Sequence, residues 1–315
     1  MSAFLAWWWS VRDACDTRRW LVLGLLGGAL SVCRWQDILY LAGPGLYDLM
    51  SGQPWKNTWA WLRSRIAFIG GVVLWWIPQI IEWKVIYGKY LTIPQGGGFI
   101  SFPPAFIREV LLSSRNGWFV WTPLVVLGLA GLCFGAVRHF RLLAPWLVVI
   151  ALEITAIGGM KTWHGFDSFS SRYLLANSAL IGLGLLILIL SAGSRLRAIW
   201  WALAAVCCIF TCLFAIQFRL EFIPSNETLS PAEVFSDKLA LGRLLRQKRL
   251  VKESQGLLRD GHAAESVSLL ESADKLGENR FVLDALRLAA KAAADSEKEK
   301  IAGSRWEAFL RSRWN

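Results

Sequence analysis

The chain has 315 residues, of which 55% are hydrophobic and 18% charged, with 19 Trp, 17 Phe and a formal net charge of +11. A soluble enzyme of this length carries more charge and shorter apolar segments, so the composition excludes an ordinary soluble globular protein. Much of the positive charge lies among the apolar segments. This indicates contact with anionic lipid headgroups and argues against a nucleic-acid partner.

Residues 1–9 form an apolar stretch that is too short to cross a bilayer and lacks the basic lead of a signal peptide. The stretch resembles the second half of a transmembrane helix. We therefore expect the sequence to begin inside a longer protein or at a misassigned start codon. A missing N-terminal half, or a partner subunit, is then an expected partner of the chain.

Seven apolar segments follow, separated by short charged loops. Because a helix satisfies its backbone hydrogen bonds within its own segment, each of them predicts a transmembrane helix. The predicted spans are 20–33, 37–50, 65–87, 118–137, 142–159, 174–192 and 198–217. The sequence thus predicts an all-α polytopic transmembrane bundle with about seven spans and a truncated N-terminal one.

The first two spans are short and are separated only by Arg34-Trp35-Gln36. They predict a tight helical hairpin, or two half-helices that do not fully cross the membrane. The alternative is one long span with a kink at Gly43-Pro44-Gly45, since proline interrupts helical hydrogen bonding.

The distribution of basic residues predicts the orientation in the membrane. The short basic loops comprise residues 12–19, 56–65, 138–141 and 195–197. We expect them in the cytoplasm, and we expect the longer, less basic loops 88–117 and 160–173 on the extracytoplasmic side together with Arg34. Parity then places the C-terminal tail outside the cytoplasm, in a multi-pass protein of the cell (inner) membrane.

The composition changes after Phe218. Residues 219–315 are charged and rich in Ala and Leu, with apolar side chains such as Val267 and Leu270 at helical spacing. We therefore expect a transmembrane domain over 1–218 and a soluble helical tail domain over 219–315.

A first cluster of candidate binding residues, Arg34-Trp35-Gln36-Asp37, lies in an otherwise apolar stretch. Ionisable groups at membrane depth pair with one another or serve a polar cavity. The cluster therefore predicts either a ligand site or an Arg34–Asp37 pair that stabilises the hairpin.

A second cluster follows the third span, with Lys84 and Tyr87 near its end and Gln95 before a run of glycines. Glycines beside aromatic residues allow the backbone to approach a ligand closely, or simply allow the loop to turn.

A third cluster, within residues 163–173, contains Trp163, His164, Asp167 and Arg172. Arginine makes paired contacts with phosphate, and aromatic rings stack on sugars, so the cluster predicts binding of an anionic, sugar-bearing headgroup. The alternative is an aromatic belt at the membrane interface, with Arg172 extending towards lipid headgroups.

Several segments occur in an order that resembles a known family. They are Arg34-Trp35-Gln36, residues 83–88, Pro94-Gln95-Gly96, residues 116–123 and residues 168–173. Over residues 1–217 the chain resembles the membrane part of bacterial GT-C glycosyltransferases related to protein O-mannosyltransferases and the aminoarabinose transferase of lipid A. The resemblance implies a polyprenyl-phosphate-linked sugar as donor and sugar transfer at the extracytoplasmic face.

The resemblance also implies which residues bind the donor. Contacts to its phosphate and sugar are expected from Arg34, Gln36, Lys84 and Arg172, with Tyr87, Gln95, Trp163, His164 and Asp167 in the same site. Members of the family carry a catalytic Asp in the first extracytoplasmic loop, as general base towards the acceptor, and no segment here matches that loop. We therefore predict no catalytic residue and expect the isolated chain to lack transferase activity. We expect no metal and no cofactor.

Two other functions remain open. The chain is alternatively a non-catalytic membrane subunit or lipid-binding protein that keeps the scaffold without the chemistry, or a transporter or flippase of an amphiphilic glycolipid. A transporter predicts inverted repeats with paired broken helices, and the sequence shows no such internal symmetry.

Overall fold

The computed structural model describes residues 1–52, 58–92, 98–223 and 227–311. Over these ranges the chain is helical, with an isolated antiparallel bridge between Ile100 and Met160 and no β-strand. The predicted all-α fold is thus confirmed. The chain divides into two compact units, Met1–Cys208 and Ile209–Asn315.

The first unit contains ten α-helices within the described ranges, the last of which continues into the second unit. They are α1 (Ser2–Val11), α2 (Thr17–Cys33), α3 (Ala42–Ser51), α4 (Thr58–Tyr87), α5 (Ile107–Leu112), α6 (Trp118–Trp121), α7 (Leu124–Arg138), α8 (Phe140–Gly158), α9 (Ser178–Leu190) and α10 (Ser194–Arg219). Two 3-10 segments, Trp35–Leu41 and Arg172–Asn177, precede α3 and α9.

Four helical segments are long and apolar enough to cross a membrane: α4, α8, the continuous segment Arg172–Leu190, and α10. The helix α7 is apolar but shorter. The other predicted spans also fall on helices, since 20–33 lies in α2 and 37–50 covers a 3-10 segment and α3. These lengths and compositions agree with a membrane protein.

The surface of α4 has the character expected of a helix in lipid. Large apolar side chains along it are exposed, including Ile66 at 59%, Leu74 at 55% and Val85 at 79%. An apolar surface of this length would be unstable in water, whereas the hydrocarbon core of a bilayer accommodates it.

The interruption between the first two predicted spans lies at Arg34. Its backbone is extended, with φ −145° and ψ 112°, and it separates α2 from the 3-10 segment. The helix α3 continues through Gly43, Pro44 and Gly45. The kink considered at these three residues is therefore not the point of interruption.

The helices α2 and α4 pack closely and run parallel. Gly24 on α2 lies against the backbone of Phe68 on α4, and Gly28 lies against Val72. Because glycine has no side chain, the two backbones approach to a distance that a Cβ atom would prevent. The segment Trp35–Ser51, which lies between them in the sequence, must therefore run back in the opposite direction.

The helices α7 and α9 repeat this arrangement. Gly128 lies beside Ile181, and Gly131 lies against the backbone of Gly184. Their parallel alignment means that α8, which connects them, runs in the opposite direction.

The second unit contains the predicted helical tail. After the start in α10, its helices are α11 (Pro231–Val234), α12 (Leu241–Arg259), α13 (Ala263–Asp274), α14 (Arg280–Ala292) and α15 (Ser296–Arg311). Their shared core consists of Val251, Val267, Leu270, Ala273, Val282, Leu286, Ala289 and Ala302. Val267 and Leu270, which carried the helical periodicity in the sequence, thus lie inside this core.

Candidate functional site

A cavity of about 660 Å³ lies where α2 ends. Its polar lining consists of Ser31, Arg34, Gln36, Gln79, Thr92 and Arg172. Its aromatic lining consists of Trp35, Trp76, Trp83, Phe99 and Tyr173. The cavity therefore combines positive charge with aromatic walls.

The positive charge comes from two arginines that are distant in the sequence. Arg34 follows α2, and Arg172 begins the second 3-10 segment, 138 residues later. Arg34 Nη1 donates a hydrogen bond of 2.5 Å to the backbone carbonyl oxygen of Arg172. The guanidinium carbon of Arg172 lies 5.4 Å from the ring centroid of Tyr173. The cavity is thus lined by two arginines from distant parts of the sequence.

Contacts of Trp76 on α4 hold part of the aromatic lining in place. The indole nitrogen of Trp76 donates to Ser31 Oγ at 2.9 Å, and Trp76 meets Trp83 edge to face with ring centroids 5.9 Å apart. Ser31 in turn donates to the carbonyl oxygen of Gly28. These bonds fix the orientation of Trp76 towards the cavity.

An open apolar groove adjoins the cavity and shares Ile38, Trp76 and Trp83 with it. Val72 and Leu91 extend the groove beyond the cavity. A ligand with a charged end and a hydrocarbon chain therefore finds a polar and an apolar surface side by side.

The segments 116–123 and 164–170, both singled out in the sequence, pack against each other. Asn116 Nδ2 donates to the carbonyl oxygens of His164 at 2.7 Å and Phe166 at 3.2 Å. The hydroxyl groups of Thr122 and Ser170 are 3.1 Å apart. These bonds support the loop that leads into Arg172.

The structure brings three of the residues predicted for the site together, namely Arg34, Gln36 and Arg172. Lys84 does not line the cavity; its Nζ donates to the carbonyl oxygen of Gly88 at 3.0 Å. Tyr87 is exposed near the end of α4.

The remaining predicted residues lie elsewhere. Trp163 is buried and stacks on Phe106, with ring centroids 6.4 Å apart, outside the cavity lining. Asp167 is exposed in the same loop. Gln95 lies outside the residues that the structure describes.

His164 is held in a positively charged surrounding. Arg115 Nη2 lies 3.2 Å from His164 Nδ1, and the backbone N–H of Phe166 donates to the same nitrogen at 3.1 Å. Burial, and then the charge of Arg115, lower the pKa of His164 from its ordinary value of 6.5. The ring is therefore neutral at pH 7 and adds no positive charge to the loop.

A buried polar network was missed by the sequence reasoning. The hydroxyl oxygen of Tyr40 lies 2.5 Å from Asn177 Oδ1 and 3.2 Å from Glu153 Oε2, and Asn177 Nδ2 donates to Glu153 Oε2 at 2.7 Å. All three side chains are fully buried. The charge of Glu153 inside an apolar span was a visible signal, but nothing in the sequence identified its two partners.

The chain was compared with known proteins at three levels. No protein-family model, curated protein or solved structure matches it.

Proposed function

We propose that this chain is the membrane portion of a glycosyltransferase that binds a polyprenyl-phosphate-linked sugar in the cavity at the extracytoplasmic face. One observation carries the proposal: Arg34 and Arg172, far apart in the sequence, line the same cavity. Two guanidinium groups match a phosphate oxyanion in charge and in hydrogen-bonding geometry.

The other walls fit the rest of such a ligand. Trp35 and Tyr173 offer aromatic faces on which a sugar ring stacks, and Gln36 offers an amide to its hydroxyl groups. The groove along Val72 and Leu91 accommodates an isoprenoid chain through apolar contact.

The proposal includes seven membrane crossings and an extracytoplasmic tail in the cell (inner) membrane. The parallel alignment of α2 with α4, and of α7 with α9, supports it, because each pair requires an intervening crossing in the opposite sense. The basic residues near the starts of α2 and α8 and the end of α7 favour the cytoplasmic side for those helix ends.

Lipid binding in nanodiscs tests the proposal. The protein is expected to bind geranylgeranyl phosphate more tightly than geranylgeraniol, which has the same chain without the phosphate. Arg34→Ala and Arg172→Ala are each expected to lower the affinity for the phosphate roughly ten- to hundredfold, since each removes a charge-assisted contact.

Arg108→Ala is the matched control, because Arg108 is exposed on α5, within the segment 88–117 predicted on the same side, and does not line the cavity. Its affinity for both lipids should equal that of the wild type. Equal affinity of the wild type for the phosphate and the alcohol would contradict the proposal. Added affinity for a polyprenyl-phosphate-linked hexose over the bare phosphate would report the sugar contacts.

A further inference from the structure

Glu153 lies on α8 and is the meeting point of two segments that contribute to the cavity. Its Oε2 is 3.2 Å from the hydroxyl oxygen of Tyr40 and accepts a hydrogen bond of 2.7 Å from Asn177 Nδ2. Tyr40 belongs to the 3-10 segment that follows Arg34, and Asn177 ends the 3-10 segment that begins with Arg172.

The contacts form a closed circuit between the two arginines. At one end, Arg34 Nη1 donates to the carbonyl oxygen of Arg172. At the other end, the hydroxyl of Tyr40 and the amide of Asn177 meet each other and Glu153. The relative position of the two arginine-bearing segments is thus fixed at both ends.

Burying this polar circuit lowers the stability of the fold, and a role in positioning the site accounts for that cost. Glu153, Tyr40 and Asn177 are all 0% exposed, and a carboxyl group at membrane depth is expensive. Apolar packing would join α8 to its neighbours at lower cost, but it would not fix the segments with the directionality of hydrogen bonds.

A second carboxyl group adjoins the network. Asp37 is 2% exposed, and its carboxyl group interacts electrostatically with that of Glu153. Asp37 Oδ1 and Glu153 Oε1 accept no hydrogen bond within the part of the chain that the structure describes. Two neighbouring carboxyl groups repel each other when both are charged. An amide at position 153 removes this repulsion and offers an N–H donor.

We propose that Glu153 is a positioning residue of the cavity, which acts through Tyr40 and Asn177 to hold Arg34 and Arg172 against one phosphate. The inference rests on the proposed function. It extends that function to side chains that do not themselves line the cavity.

The test compares the affinities for geranylgeranyl phosphate and geranylgeraniol in nanodiscs. Glu153→Leu is expected to lower the affinity for the phosphate about tenfold, comparable to one lost charge-assisted contact, and to leave the affinity for the alcohol unchanged. Glu153→Gln is expected to retain most of the phosphate affinity, since its amide keeps an acceptor for Asn177 and supplies a donor towards Asp37.

Tyr40→Phe removes only a hydroxyl group and keeps the inference testable if Glu153→Leu does not fold. It is expected to weaken phosphate binding in the same direction as Glu153→Leu. Thr155→Val is the matched control on α8, because the Thr155 hydroxyl donates to the carbonyl oxygen of Ala151 in its own helix. It should bind both lipids like the wild type.

Three outcomes separate this inference from the proposed function. In the first, Glu153→Leu and Tyr40→Phe prefer the phosphate over the alcohol as strongly as the wild type does, while Arg172→Ala loses this preference. This outcome overturns the positioning role and leaves the proposed function standing. An equal loss of affinity for both lipids in Glu153→Leu and Tyr40→Phe also overturns the positioning role, since it indicates a purely structural role. Equal affinity of the wild type for the phosphate and the alcohol overturns the proposed function, and the positioning role with it.

Discussion

Arg65 holds Asp48 with two hydrogen bonds of 2.7 Å each, from Nε to Oδ2 and from Nη2 to Oδ1. Asp48 is 1% exposed, and the guanidinium carbon of Arg65 lies 3.3 Å from the ring centroid of Trp20. Trp61 adds a third hydrogen bond, from its indole nitrogen to Asp48 Oδ2 at 3.0 Å. The ion pair connects α3 to α4, and each of the two charges has an oppositely charged partner inside the protein.

Breaking this pair on one side should destabilise the protein strongly. Asp48→Leu leaves the charge of Arg65 without its partner, and we expect it to lower the free energy of unfolding by about 3 kcal/mol. The double variant Asp48→Leu/Arg65→Met removes both charges and should recover part of this loss. Thermal unfolding in detergent measures both effects. Arg19→Ala, which removes an exposed pair with Asp16, is the control and should cost less than about 1 kcal/mol.

A graded loss of phosphate binding is expected at Arg172. Arg172→Lys keeps the positive charge but loses the planar fork that contacts two oxygens, so it should weaken binding less than Arg172→Ala. Microscale thermophoresis with geranylgeranyl phosphate measures the series. If wild type and Arg172→Ala bind equally, Arg172 is an interface anchor, and the alternative considered from the sequence is correct.

Two adjacent glycines on α4 should respond oppositely to the same substitution. A Cβ atom at Gly71 would lie 2.6 Å from the carbonyl oxygen of Leu21 on α2, whereas one at Gly70 would meet no atom within 4 Å. Gly71→Ala should therefore separate α2 from α4 and lower the thermal stability. Gly70→Ala should be neutral, or stabilising by up to about 1 kcal/mol through helix propensity. Equal effects of the two substitutions would argue against the close packing of α2 and α4.

Protease accessibility tests the proposed orientation of the tail. Protease added to spheroplasts or right-side-out vesicles should remove the residues after about position 220, because the charge asymmetry of the loops predicts the tail outside the cytoplasm. Inverted vesicles are the control, in which the tail should be protected. The opposite pattern would reverse the topology and move the cavity to the cytoplasmic face.

His164 should titrate below its ordinary pKa of 6.5, because it is partly buried beside Arg115. NMR titration of labelled histidine in detergent measures this, with His164→Gln to assign the signal. Arg115→Gln should raise the midpoint towards 6.5. Since the unfolded chain binds this proton more readily, His164 makes the fold less stable as the pH falls through 6.5. A midpoint above 6.5 would contradict the surroundings described for this ring.

The sequence predicted the helical elements because apolar length and periodicity are local properties. The predicted span 20–33 corresponds to α2, which begins at Thr17 behind the N-cap Asp16. The predicted span 118–137 is divided into α6 and α7 around Pro123, which lacks a backbone N–H for helical hydrogen bonding.

Only part of the candidate site could be predicted from the sequence. Arg34, Gln36 and Arg172 carried a signal, since charged and amide groups in apolar surroundings are conspicuous. The network of Tyr40, Glu153 and Asn177 depends on the packing of three segments, and no local pattern predicts which side chains will meet there. The aromatic lining could not be predicted either, because no local sequence feature distinguishes Trp76 from the other tryptophans of this chain before the packing of α2 against α4 is known.

A 3-10 helix rises about 2.0 Å per residue, whereas an α-helix rises about 1.5 Å. The seven residues of the segment Trp35–Leu41 and the ten residues of α3 therefore extend about 29 Å together, close to the roughly 30 Å of a bilayer's hydrocarbon core. With α geometry throughout, the same residues would extend only about 25.5 Å. In the proposed topology, in which this segment crosses the membrane, the longer rise of the 3-10 residues therefore places Arg34 about 3.5 Å farther from the end of α3.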